Sequence, residues 1–298
     1  MFTCFHSDTQ PLDLPPGHPF PVAKYAALRQ ALSKSAPSMQ AIEAPPAARI
    51  ELLRAHTAAY LDALESATLP PQVYRRLGLP ASPQVFTRFA ADTEATRLAA
   101  LHALAHRASA NLGGGTHHGF PSHGEGFCAL NDIAVAALHL RSIEPDLRIL
   151  VIDTDAHQGN GNHCILGPVP GILTYSIHVE RNFPTNKHPG TLDVGLPRFV
   201  DGKDYLKALR DTLPGIIRNS RPDFIFWVSG ADCHVDDAFG QMRLDDRQMA
   251  ERDLRVIALA HASEARFVQT LGGGYNARRD HIVTLHERTL LACIEAYA

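Results

Sequence analysis

Short apolar runs alternate with longer amphipathic stretches along most of the chain. The run 147–152 (Leu-Arg-Ile-Leu-Val-Ile) is short, rich in β-branched residues and followed by Gly and Asn. It predicts a buried parallel strand. Apolar runs predict further strands at 2–5, 49–53, 172–177, 223–229 and 266–271. Helical spacing of apolar residues predicts helices at 22–32, 57–64, 93–112, 131–141, 206–218, 246–262 and 281–297. Gly113-Gly114-Gly115 ends the third of these, and the Asn131-Asp132 pair starts the fourth. The proline-rich stretch 11–21 predicts an ordered loop or rim, and 69–83, also with several prolines, a surface loop. Strands alternating with helices predict a three-layer α/β/α fold, a single open and mainly parallel sheet with helices on both faces. No repeat or linker divides the chain, so residues 1–298 are expected to form one domain.

Composition narrows the function classes. Hydrophobic residues make up 45% and charged residues 20% of the chain, which fits a globular protein. The net charge of −3 and the lack of a basic block give nucleic-acid binding no electrostatic support. The five cysteines are scattered and form no Cys-x-x-Cys pair, which fits reduced thiols in a cytoplasmic protein. No run reaches membrane-spanning length, and no signal peptide is read at the start. The 17 histidines are many, and several lie beside glycines.

Candidate chemistry collects where the predicted strands end. The 147–152 run leads into Asp153-Thr154-Asp155-Ala156-His157. In an extended chain Asp153, Asp155 and His157 all point to one side. Carboxylates and an imidazole there suit a divalent metal such as zinc, and they also suit a capping and turn cluster. Sites in open α/β sheets form beyond the C-terminal ends of the strands. Beyond 223–229 stands Asp232, a natural third ligand or else a turn cap. Beyond 266–271 come Gly272-Gly273-Gly274, which allow close backbone approach, and then Tyr275. His117 and His118 follow a glycine run. Adjacent side chains diverge, so the two suit separate jobs, one a general base and one an electrostatic partner.

Five motifs now occur in order: Gly-Gly-Thr-His-His ending at His118, Gly-x-Gly-Phe-Cys-x-x-Asn-Asp ending at Asp132, Asp-x-Asp-x-His-x-Gly-Asn-Gly from Asp153, Ser-Gly-Ala-Asp ending at Asp232, and Leu-Gly-Gly-Gly-Tyr-Asn ending at Asn276. Together they resemble the zinc-dependent histone deacetylase family of the arginase–deacetylase fold. Asn182-Phe183-Pro184 with 191–197 resembles the bacterial members closest to class IV. The resemblance implies that Asp155, His157 and Asp232 bind one Zn2+. It implies that His118 moves the proton, His117 stays charged, and Tyr275 donates to the oxyanion. Asp153 and Asn160 are then the partners of His117 and His118. An amide at Asn160, where some relatives have Asp, raises the pKa of His118 less than a carboxylate would. Phe127 and Phe183 match the walls of an acyl-lysine tunnel, and Gly126 and Gly273 match substrate-binding positions. Asp153, Asp155, His157, Ser176 and Ile177 match a K+ site that uses mainly backbone oxygens.

The resemblance has departures. The family's Gly-Asp-Pro-Leu-Gly-Arg-Leu is here Asp236-Asp237-Ala238-Phe239-Gly240-Gln241-Met242, and a Gly-Gly-Thr common in bacterial relatives is absent near Ala91-Asp92-Thr93. Polyamine-specific members place a Glu seven residues after the third ligand, where this chain has Phe239. The implied substrate is therefore an acyl-lysine protein or peptide, with small acylated amines such as acetylpolyamines as the alternative. An arginase-like hydrolase would need a further Asp at the position of Gly159. A non-catalytic acyl-binding relative would not need Tyr275 and both histidines.

Overall fold

The computed structural model describes residues 2–297. In chain order its elements are β1 (Thr3–His6), α1 (Ala23–Ser35), β2 (Gln40–Glu43), α2 (Arg49–Leu52), α3 (Ala58–Glu65), α4 (Pro71–Leu77), α5 (Pro83–His106), β3 (Ala108–Asn111), α6 (Asp132–Ile143), β4 (Ile149–Asp153), α7 (Asn160–Leu166), β5 (Ile172–Val179), β6 (Leu192–Leu196), α8 (Gly202–Ser220), β7 (Phe224–Val228), α9 (Asp246–Ala262), β8 (Arg266–Thr270) and α10 (Arg279–Tyr297). The strands form one eight-stranded sheet in the order β2-β1-β3-β8-β7-β4-β5-β6. Every pairing in it is parallel.

Alternation along the central strands splits the core in two. Ile149 and Val151 of β4, with Phe224, Phe226 and Val228 of β7, pack under α5 and α6. Leu150 and Ile152, with Ile225 and Trp227, face the other way, toward α8, α9 and α10. Both faces are covered, so these strands read as continuous apolar runs rather than alternating ones. The expected three-layer α/β/α architecture with a single parallel sheet is the one observed. No helix of the described residues is long and apolar enough to cross a membrane.

Several elements differ from expectation. Residues 49–53 are not a strand: Arg49–Leu52 is the short helix α2, with Leu52 buried and Ile50 67% exposed. A run with one buried residue has no second face to give to a sheet. Residues 69–83 are not a loop throughout, because α4 occupies Pro71–Leu77. Its proline stands in the first turn and Gly78 closes it at φ 75°, so these residues mark a helix's ends. The helix expected to run to residue 112 stops at His106. Arg107, at φ 73°, breaks it, and Ala108–Asn111 becomes β3 between β1 and β8. Small buried residues in so short a run carry no period that separates helix from strand. The edge strands β2 and β6 and the short helix α7 were not expected either.

Candidate active site

The loops after β3, β4, β7 and β8 meet above the middle of the sheet. They line a cavity of about 390 Å3, which Phe127, Phe183, His117, His118, Asp155, His157, Gly273 and Tyr275 all border.

On its floor, one ligand atom each from Asp155, His157 and Asp232 lie within 4.8 Å of one another. All three residues are buried. His157 Nδ1 is 3.0 Å from Asp155 Oδ1 and 2.9 Å from Asp232 Oδ2. Asp155 accepts the Gly273 N–H at 2.7 Å, and Asp232 accepts the Ala156 N–H at 2.9 Å. Burial, and then the adjacent Asp155 carboxylate, push the Asp232 carboxyl up to about 7. Two buried carboxylates beside one imidazole are costly without a cation, and a divalent metal relieves that repulsion. The donor set, two oxygens and one nitrogen open to a cavity, therefore fits a zinc ion. A Cβ at Gly273 would lie 2.4 Å from Asp232 Oδ2, so only glycine fits there.

Asp153 does not join this group. The strand ends at Asp153, and beyond it each carboxylate accepts the N–H two residues on: Asp153 from Asp155 at 3.0 Å, Asp155 from His157 at 2.9 Å. The chain leaves the pleat, so the expectation that all three side chains point one way fails. Asp153 Oδ2 instead meets His117 Nδ1 at 2.6 Å. Burial pulls the His117 pKa down, but Asp153 and Asp155 outweigh it and raise it to about 9.

His118 has the opposite environment. Its Nδ1 is 2.7 Å from Asn160 Oδ1. Burial, then the charges of His117 and His157, hold its pKa well below the ordinary value. The Asn160 amide is oriented by the buried Glu125, which accepts its N–H at 2.5 Å and is itself paired with Arg76. With Asn160 Oδ1 accepting, the His118 proton sits on Nδ1 and Nε2 keeps its lone pair.

The walls follow. His118 and Phe183 rings meet edge to face at 4.9 Å. Phe127, at φ 65°, lies 5.6 Å from Tyr275. A Cβ on Gly126 would come within 2.7 Å of Phe183 and 2.8 Å of His118, so Gly126 lets the walls close. The Phe127 N–H donates to Leu77 O at 2.8 Å, and the Gly126 N–H to Arg76 O at 3.2 Å. Helix α4 thus backs one wall, in a stretch read from sequence as a surface loop. Of the positions matched to K+, Ser176 stands beside Asp153 on the next strand and Ile177 is buried. A Cβ at Gly159 would fall 2.3 Å from Asp153 Oδ2, leaving no room for the further Asp of an arginase-like site.

Sequence reasoning missed several supports. Asp132 accepts the N–H groups of Gly115 and Thr116 at 3.0 and 2.8 Å and so shapes the His117-His118 loop. Asp237 accepts the N–H groups of Tyr275 at 2.6 Å and of Phe239 and Gly240 at 2.9 Å each. Asn182 donates to Phe239 O at 2.8 Å and accepts the Phe183 N–H at 2.8 Å. Three loops are tied into one rim this way. Polar residues within the motifs are the one signal that marked these positions. A second cluster, His234, Asp246 and His281, also brings its ligand atoms together. There the Asp236 N–H donates to His234 Nδ1 at 3.1 Å and Arg278 reaches His281 Nδ1 at 3.3 Å. Both Nε2 atoms then carry protons, donated to one oxygen of Asp246 at 2.9 and 3.0 Å. The cluster clamps the loop after β7 to the first turns of α9 and α10, with both Nε2 atoms engaged by Asp246.

The histone deacetylase domain family matches residues 18–289, and the chain belongs to this family of hydrolases. It is 34% identical over 288 residues to an uncharacterised protein of Picosynechococcus sp., covering 95% of both chains. It is 32% identical over 182 residues to the acetoin utilization protein AcuC of Staphylococcus aureus, covering 57% of this chain and 46% of AcuC. In fold it is similar to a crystallised HDAC homologue complexed with SAHA, with a TM-score of 0.83, 24% identity, and 99% and 84% of the two chains covered.

Proposed function

We propose that the chain is a zinc-dependent deacylase that removes acetyl or related acyl groups from lysine side chains, and that it forms one catalytic domain. The observation that carries this is the convergence, at one cavity floor, of the Asp155, His157 and Asp232 donors beside His117, paired with a carboxylate, and His118, bonded to an amide. Asp155, His157 and Asp232 would hold the zinc, which when bound polarises the acyl carbonyl and the attacking water. His118 accepts the proton of that water at Nε2 and returns it to the leaving amine. His117, kept protonated by Asp153, offsets the negative charge that develops. The Tyr275 hydroxyl donates to the oxyanion. Phe127 and Phe183 flank the substrate's methylenes, and Gly126 and Gly273 give its acyl end room. A K+ held by backbone oxygens near Asp153, Asp155, His157, Ser176 and Ile177 belongs to the same proposal.

Structure also bears on substrate choice. Phe239 lines the cavity with its ring 5.2 Å from Tyr275, at the position of the polyamine-selecting Glu. The two nearby carboxylates are engaged: Asp236 pairs with Arg278 at 2.5 Å, and Asp237 holds three backbone N–H groups. A dicationic polyamine finds no free carboxylate there. The zinc-loaded protein is therefore expected to show kcat/KM at least about tenfold higher for acetyl-lysine peptides than for acetylspermidine, a difference of roughly 1.4 kcal/mol. Assay of both substrates side by side checks this, and equal efficiencies would remove Phe239 as the selecting position. Inactivity on every acyl amide tested would remove the deacylase reading.

A further inference from the structure

The mouth of the cavity has a charge that the catalytic centre does not use. Besides the catalytic histidines and Asp155, the charged side chains lining it are Arg75 and Arg76. Both stand on the last turn of α4, whose end is bonded to the Gly126-Phe127 wall. Arg76 is paired with Glu125, yet its side chain remains 47% exposed. Arg75 is exposed, and its guanidinium makes no ion pair or hydrogen bond among the described residues. One carboxylate, Glu125, meets Arg76, and among the described residues none meets Arg75, so the two arginines keep a net positive charge. Glu125 is shared between Arg76 and Asn160, Asp236 is held by Arg278, and Asp237 by backbone N–H groups. A lysine side chain threaded between Phe127 and Phe183 leaves its backbone at this mouth. Neighbouring groups on the substrate then meet a net positive rim.

We propose that Arg75 and Arg76 make the mouth a carboxylate-reading rim, selecting acyl-lysines that carry a carboxylate close to the acylated side chain. The planar guanidinium fork matches a carboxylate in two-point contact and repels the cationic neighbours common in basic tails. The carboxylate comes from a flanking Asp or Glu, or from the α-carboxyl of free Nε-acetyl-lysine. The proposal rests on the deacylase reading of the cavity.

Binding and turnover are measured separately so that the two ideas fail separately. Fluorescein-labelled acetyl-lysine peptides flanked by Glu, Gln or Lys are titrated by anisotropy into the zinc-loaded protein, with Tyr275→Phe used so that turnover does not consume the probe. Glu-flanked peptide should bind about fivefold tighter than Lys-flanked peptide at low salt, the scale of exposed ion pairs acting together. The preference should shrink at 1 M salt, where screening acts over about 3 Å. It should reverse in Arg75→Glu. Unlabelled Nε-acetyl-lysine, with its α-carboxyl free or amidated, is run as competitor. Stronger competition by the free acid assigns the α-carboxyl as the recognised group, and equal competition assigns the flanking side chain. Equal affinities for the three peptides, or a Glu preference unchanged in Arg75→Glu, would overturn the rim. Acidic preference in binding without turnover of any peptide by the parent protein would keep the rim and remove the deacylase reading. Failure of every peptide to bind would overturn both.

Discussion

Two adjacent histidines with similar burial are driven in opposite directions, His117 toward the charged form by its carboxylate neighbours and His118 toward the neutral form by burial and the charges of His117 and His157. His117 meets a carboxylate at Nδ1, and His118 meets an amide. A charged acceptor stabilises imidazolium strongly, and a neutral amide too weakly to offset burial. Tyr275 completes the set from another loop, its ring held between Phe127 and Phe239. Tyr275→Phe removes one hydroxyl and leaves that packing. It is expected to retain zinc and thermal stability while turnover falls roughly 100-fold or more, the scale of one oxyanion donor. Metal analysis and steady-state kinetics on the same preparation check this, and near-normal kcat would make Tyr275 a packing residue. At this scale much was legible. Motif order marked His117, His118, Asp232 and Tyr275 because their chemistry demands particular residue types. Glu125 was not legible as a partner, since which residue orients the Asn160 amide depends on two loops folding together.

Elements position these residues through polar contacts between loops. Asp237 ties Tyr275 to the Phe239 loop with three accepted N–H bonds. Asp237→Ala removes the acceptor of three N–H groups whose bonds are at most partly buried, so water offsets part of the loss and about 1 kcal/mol is expected, the net scale of a hydrogen bond. A lower melting temperature and reduced turnover are expected. The turnover loss should largely vanish when the change is made in Tyr275→Phe, because both act on the same hydroxyl. Additive losses in that cycle would show that Asp237 acts elsewhere.

His56 makes a similar link, between the loop before α3, the loop after His118, and α6. Its Nδ1 is 3.0 Å from Phe120 O, and its Nε2 accepts the Asn131 N–H at 3.0 Å. The ring must be neutral to do both. Burial pulls its pKa down to about 4 against the hydrogen bond to Phe120. The unfolded chain, near 6.5, takes up the proton first as pH falls. The stability contributed by neutral His56 is thus full above about pH 6.5 and is lost as pH falls through about 4, on the order of 3 kcal/mol in all. Urea midpoints at pH 7, 5.5 and 4 should fall more steeply for the parent than for His56→Gln. Parallel profiles would assign the acid sensitivity to other groups.

For the molecule as a whole, the sheet brings β3, β8, β7 and β4 side by side although they are far apart in sequence. The metal should then add stability by joining the loops after β4 and β7, as any ligand of the folded state does. One zinc per chain is expected, and zinc should raise the melting temperature of the parent. Asp232→Ala should keep the fold but lose the bound metal, the zinc-dependent shift and activity together. Stoichiometric zinc retained in that variant, or two tightly held metals in the parent, would break the assignment.

The amino-acid sequence by itself determined the alternation of strands and helices, the two-sided burial of the central strands and the residue types at each strand end. Those follow from local periodicity and from the chemistry of single residues. Tertiary structure decided, against strand alternation, that Asp153 turns from the candidate metal donors to His117, because the chain leaves the pleat after it. It decided that 71–77 is a helix backing the tunnel wall, and that 108–111 is a strand rather than the end of a helix. Short segments with few apolar residues carry too little local preference to choose their own conformation, so the neighbours they pack against choose it for them.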